Sequence, residues 1–181
     1  MPAEAIVLIA FPDLIEGMKH IPEQQIPATD EDLFGPEASQ KEAIFQFIAF
    51  RLGTEWYGIE ITRMKEIIPV DRITFLPSTP THITGIISVR GNIVVVCDPK
   101  RLLGIPLTEV TSQSRIALID TELGVLVDEV TEVVNLPAGQ LEQSMATFSM
   151  EIAGFIERTC HWQGRLIGIL NIHKILGATQ P

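Results

Sequence analysis

The feature that most constrains this chain is a repeat inside it. The run Gly58-Ile-Glu-Ile-x-x-Met-x-Glu-Ile-Ile68 recurs as Gly124-Val-Leu-Val-x-x-Val-x-Glu-Val-Val134. Further on, Gly91-Asn-Ile-Val-Val-Val-Cys-Asp-Pro-Lys-Arg-Leu-Leu-Gly104 recurs as Gly164-Arg-Leu-Ile-Gly-Ile-Leu-Asn-Ile-His-Lys-Ile-Leu-Gly177. Two motifs in the same order in both halves mark one structural unit used twice. The second copy is longer between its motifs, and the extra length falls to the polar stretch 138–150.

The texture of each copy is that of short strands. Apolar, β-branched runs at 45–52, 56–61, 83–89, 93–97, 116–119, 125–127 and 166–170 are bounded by glycine and proline. A small sheet removes its exposed edges by closing on itself, so the repeat predicts a mainly β fold of two small five-stranded barrels packed together. The alternative is one meandering sandwich. Two brief helical turns are expected at 100–103 and 173–176, each stopped by a glycine, Gly104 and Gly177.

Composition narrows the function. The 181 residues are 46% hydrophobic and 20% charged, enough to bury a core. The formal net charge of −10 repels phosphate backbones and anionic lipid surfaces, so nucleic acid is not an expected partner. Cys97 and Cys160 sit among apolar neighbours, as buried free thiols of a reducing compartment do. No apolar run approaches the length of a membrane span, and the N-terminus lacks the basic start of a signal peptide, so a cytoplasmic chain without membrane insertion is expected. Residues 1–43 stand apart, with nine acidic against two basic side chains. They are read as an extension whose stretch 22–41 is an acidic linker and whose apolar stretch 5–11 needs a docking site, on the chain's own barrels or on another chain.

Catalytic chemistry is hard to find. The histidines, His20, His82, His161 and His173, show no metal-site spacing, and Cys160 and His161 are strand neighbours that point to opposite faces. Ser88 lacks the glycines of a nucleophile elbow, and no phosphate-binding glycine loop occurs. Asp128, Glu129 and Glu132 read as the solvated side of strands, repeating the place of Glu66. No catalytic residue, cofactor or metal is assigned. One residue has a distinctive position: Arg90, in the turn between two apolar strands, is read either as a guanidinium offered to a partner or as an ion pair with Glu66 or Asp98.

With these motifs in view, residues 45–177 resemble the CheW family. The resemblance runs through Phe47-Ile-Ala-Phe-x-Leu-Gly53, Tyr57-Gly-Ile-x-Ile-x-x-Met-x-Glu-Ile67, Pro77-x-x-Pro80-x-x-Ile83-x-Gly85, Ser88-Val-Arg-Gly91-x-Ile-x-Val-Val-x-Asp98, Gly124-x-Leu-Val-Asp-x-Val130 and Leu166-Ile-x-Ile-Leu-Asn-Ile-x-Lys174. The chain departs from the family in Ser88-Val89 where Asn-Leu is usual, in Val95 for a proline, in Pro99 for a leucine, and in Asn171 for an aspartate.

The resemblance implies tandem barrels of the Src-homology type over residues 44–181, the first at about 58–105 with flanking strands and the second at about 115–177. It implies a non-enzymatic adaptor that joins methyl-accepting chemoreceptor tips to the regulatory domain of the histidine kinase CheA, recruited to receptor arrays at the inner face of the membrane. It places partner contact near Met64, Gly85, Arg90, Val130 and Val133. The alternatives are an adaptor of a pilus-type or other non-flagellar chemosensory pathway, a small-molecule-binding barrel, or a thiol enzyme using Cys160.

Overall fold

A computed structural model describes residues 43–120, 122–143, 152 and 154–179. The extension and its stretch 5–11 lie outside the described residues. Among the described residues eleven strands are present: β1 (Ile44–Leu52), β2 (Glu55–Glu60), β3 (Glu66–Pro69), β4 (Ile83–Val89), β5 (Asn92–Cys97), β6 (Arg115–Leu118), β7 (Leu123–Val127), β8 (Glu129–Pro137), β9 (Glu142–Gln143), β10 (Ile156–Trp162) and β11 (Arg165–Leu170). They form a six-stranded sheet in the order β8-β1-β2-β11-β10-β9 and a five-stranded sheet in the order β3-β6-β7-β5-β4.

The five-stranded sheet curls until its ends meet. In the five-stranded sheet Thr74, beyond β3, exchanges two backbone hydrogen bonds of 2.8 Å with Ile86 on β4. In the six-stranded sheet β9 pairs Glu142 with Thr159 on β10. Thus part of the stretch read as a polar loop, residues 142–143, is a short edge strand.

The pairing registers bear out the repeat. Gly58 lies opposite Ile169 on the parallel β2–β11 seam, and Gly124 lies opposite Val96 on the parallel β5–β7 seam. Val96 and Ile169 occupy the same place in the two copies of the second motif. Gly91 and Gly164 both follow a residue of positive φ, Arg90 at 51° and Gln163 at 50°, in matching two-residue hairpin turns.

The strands are shared out differently from the sequence expectation. The division into barrels at about 58–105 and 115–177 is corrected, because β1 and β2 join β8 through β11, while β3, β4 and β5 join β6 and β7. The cause is the parallel seams: β2 hydrogen-bonds to the hairpin of the other copy, and the chain crosses between sheets through the 3₁₀ turn Ile61–Arg63.

Burial follows from strand alternation. Phe47 and Ala49 point into one barrel, while Ile48 and Phe50, the alternate residues of β1, join a core layer between the two sheets. The barrel of the six-stranded sheet is filled by Phe47, Ala49, Val134, Cys160, Ile167 and Ile169. The other is filled at the equivalent places by Ile116, Leu118, Ile68, Ile87, Val94 and Val96. Both interiors are therefore packed with side chains. Between them lie Phe50, Tyr57, Ile59, Val125 and Val127, nearly inaccessible to solvent.

Gly124 permits this closeness, since a Cβ there would stand 2.5 Å from Ile116 Cγ2. Of the two expected helical turns, Lys100–Leu103 does stop at Gly104, which caps it at φ 68°. The second is a longer helix, Ile172–Thr179, that runs through Gly177. Its last turn is held by His82, whose Nε2 lies 2.7 Å from the Ala178 carbonyl oxygen.

Candidate functional site

The β4–β5 turn sets Arg90 at one end of the five-stranded barrel. Two-residue turns of this hand need positive φ and favour Asn, Asp or Gly, so an arginine here is an uncommon choice. Its Nη2 donates to Glu66 Oε1 at 2.9 Å, joining β4 to β3 across the closure. The intramolecular ion pair with Glu66 is thus present, whereas Asp98 is engaged by Lys100. Arg90 is nonetheless 73% exposed and Glu66 only 20%, so most of the guanidinium edge faces outward. At the equivalent rim Glu132 receives Trp162 Nε1 at 3.4 Å, and Gln163 stands where Arg90 does.

The other expected contact residues divide. Met64 is buried in the shared core, with only a small part of it reaching the wall of a surface cavity. Gly85 is a backbone requirement: a Cβ would fall 2.3 Å from the Thr74 carbonyl oxygen, the atom that closes the barrel. Val130 and Val133, on β8, are half-buried and pack against the shared core, leaving part of each open. Met64, Val130 and Val133 therefore share one core layer, while Gly85 and Arg90 belong to β4 and its turn.

A polar joint escaped the sequence reading. Lys100, at the start of its helix, is 1% exposed, and its ammonium donates to Asp128 and to Thr108 Oγ1, with Asp98 at 3.8 Å. Asp128 also accepts from the Gly53 N–H at 2.6 Å and from Thr108 at 2.7 Å. Burial alone would raise the Asp128 carboxyl, but the Lys100, Gly53 and Thr108 hydrogen bonds outweigh it and hold the group below its usual range. Burial raises Asp98, which the nearby Lys100 charge opposes. Asp128 is thus a structural ligand of a buried ammonium and not a solvated strand residue. The available signal was an aspartate at the end of a fully apolar strand, where a charge demands a partner.

The thiols are inert. Burial lifts Cys97 to about 12 and Cys160 to about 11, so neither forms thiolate at neutral pH. The imidazoles that Cys160 would need are engaged elsewhere, His82 at Ala178 and His173 at Arg63. Among the described residues no cluster of three or more His, Cys, Asp or Glu could hold a metal ion, and no helix is long and apolar enough to cross a membrane.

Two interleaved barrels carrying an arginine turn on one rim only are the geometry to compare with known proteins. A family model described as the CheW-like domain matches residues 46–180. The chain belongs to the CheW-like domain family. The chemotaxis protein CheW of Bacillus subtilis (strain 168) is 28% identical over 134 residues, spanning 72% of this chain and 86% of that protein. Protein PilI of Pseudomonas aeruginosa is 26% identical over 128 residues, spanning 68% and 72%. The crystal structure of the scaffolding protein TtCheW from Thermoanaerobacter tengcongensis matches with a TM-score of 0.66 at 28% identity, covering 72% of this chain and 86% of that one. These likenesses make this CheW-like chain a chemosensory adaptor.

Proposed function

We propose that this CheW-like protein works without catalysis, as a scaffold that couples methyl-accepting chemoreceptor tips to the regulatory domain of the kinase CheA in arrays at the inner face of the membrane. The observation that carries the reading is the difference between the two rims: on equal backbone, one turn offers a largely exposed guanidinium fixed by Glu66, the other only Gln163. An exposed arginine and partly open valines suit contacts in which charge sets orientation and apolar surface supplies area. In this reading Arg90, Val130 and Val133 meet a partner helix, while Met64 and Gly85 hold the floor and the turn in place. Coupling arises if the adaptor binds one receptor state better than the other, since only differential binding moves a kinase equilibrium. The likeness to PilI supports a second output for the same architecture, a pilus-type pathway in which the partners differ and the surface does not.

The test is binding of purified chain to a receptor-tip fragment and to the CheA regulatory domain. Arg90→Glu places a carboxylate beside Glu66 and should weaken at least one affinity on the order of tenfold with the fold intact. Gln163→Glu should change neither. Unaltered affinity of Arg90→Glu for both partners would move the interface elsewhere.

A further inference from the structure

The two copies differ most at one pair of equivalent corners, where the chain leaves the strand that follows each repeat glycine. In the sealed corner Asp128 receives buried Lys100, and the segment after Gly104 lies over the joint. Thr108 binds the carboxylate, and Ile105 packs on the core, its Cγ2 3.3 Å from where a Cβ on Gly53 would be. In the other corner Thr62 stands at the place of Asp128, and His173 at the place of Lys100. No carboxylate of equivalent position is present there. Arg63 donates to His173 Nε2, and its Nε lies 3.7 Å from Glu60.

In place of a covering segment, this corner holds a surface cavity of about 510 Å³ with Met64, Ile119, Ile172 and Leu176 in its wall. An adjoining one of about 700 Å³ shares Arg63 and His173 with it and adds Lys174. The first also reaches Lys65. Measured against its twin, the corner is short of one carboxylate and one apolar plug.

We propose that residues 30–34 of the chain's own extension, Asp30-Glu31-Asp32-Leu33-Phe34, occupy this corner, with an acidic side chain on the Arg63–His173–Lys174 edge and Leu33 or Phe34 in the role of Ile105. The complementarity is local: three successive carboxylates meet a wall where Arg63, Lys65, Lys174 and His173 outnumber Glu60 and Glu157, on a chain that is otherwise strongly acidic. Geometry permits it. Glu60, on the cavity wall, pairs with Phe47 on β1, so the corner lies about 13 Å along the strand from Ala43, at roughly 3.3 Å per residue. The eight residues that link Phe34 to Ala43 span about 16 Å as a flexible coil. A tether of that length holds the segment at an effective concentration of the millimolar order, which suffices for a weak contact.

Amide hydrogen exchange on the dilute full-length chain at low salt tests this. Leu33 and Phe34 should exchange at least tenfold more slowly than in an unstructured peptide. The slowing should vanish in Arg63→Glu/Lys174→Glu, and equally in Asp30→Asn/Glu31→Gln/Asp32→Asn, a variant altered only outside the barrels and so free of any folding defect. Exchange at the unstructured rate overturns the proposal. So does slowing that survives both variants, which would put the segment at another site, or slowing that grows with protein concentration, which would assign the corner to a second copy or another acidic chain.

Discussion

The sealed and the open corner began as the same turn in a duplicated unit, and they now do different physical work. At Asp128 an ammonium and a carboxylate are both withdrawn from water and held by several hydrogen bonds, so the joint fixes how two strands, a helix and a turn meet. At Thr62 the equivalent position lies in a 3₁₀ turn and carries an exposed hydroxyl that donates to Glu60, and its neighbours Arg63 and His173 meet each other. The two hairpin turns repeat the lesson: Arg90 and Gln163 share a conformation, yet only Arg90 has a charged partner. Apolar alternation and strand pairing maintain a duplicated backbone with many different residues. Side chains at equivalent surface places are then free to diverge, and a binding surface is best sought where the copies disagree.

The sharpest way to break this comparison is to remove one side of it. Asp128→Ala leaves Lys100 buried without its main partner and should cost about 3–5 kcal/mol in urea unfolding. Thr62→Ala, at the exposed equivalent, should cost less than about 0.5 kcal/mol. Equal costs would show that the corners are not physically different.

Smaller in effect, the glycine seams should respond unequally. In Gly124→Ala the new methyl meets Ile116 at 2.5 Å on the barrel interior, whereas in Gly58→Ala it meets the mobile end of Ile169 at 3.0 Å. The first should lower stability by about 1–3 kcal/mol, and the second by clearly less.

Acid titration sharpens the corner comparison further. A carboxyl held below its unfolded value contributes stability that is present above that value and lost as pH falls through the folded one. Asp128 therefore stabilises the fold in full above pH 3.8 and progressively less as the pH falls below it, while Asp98, raised by burial, gains its proton more readily in the folded chain and opposes the loss. Urea midpoints measured from pH 7 down to 3 should fall more steeply in the native protein than in Asp128→Asn.

The least costly change is at the turns. Arg90→Asn and Gln163→Asn both place a residue tolerant of positive φ where the backbone needs one, so each should shift stability by no more than about 1 kcal/mol, and upward if at all. Only Arg90→Asn should weaken partner binding. Loss of binding in both would return the two turns to equivalence.

Much of the fold was legible because glycine spacing and β-branched runs record strand pairing directly. The paired motifs placed Gly58 with Gly124 and Gly91 with Gly164, and the registers agree. Which barrel each strand joins was not legible, since the hairpin of either copy pairs equally well, on paper, with either glycine strand. At the site, Arg90 could be singled out because a lone cation between apolar strands is chemically conspicuous. Met64 was harder to read, because methionine serves core and surface alike, and here it is buried in the shared core yet also lies in the wall of a surface cavity. Asp128 was hidden for another reason: its meaning depends on Lys100, distant in sequence and read only as a helix residue.

The crossing of β2 to the hairpin of the other copy sets a condition on biosynthesis. Tyr57 finds its neighbour only when Gly168 has left the ribosome, about 110 residues later in the chain. At ~5–20 residues per second that is an interval of about 5–20 s, and until β8 (Glu129–Pro137) has been made β1 and β2 have each other but neither β8 nor β11. The run Phe47-Ile-Ala-Phe, buried on both faces in the finished protein, is then an uncovered apolar hairpin with two open edges. Non-local pairing of this kind slows folding, because loop closure must come before the contacts that reward it. The nascent chain is therefore most in need of chaperone cover, and most prone to associate with its neighbours on a polysome, when about two thirds of it has been made.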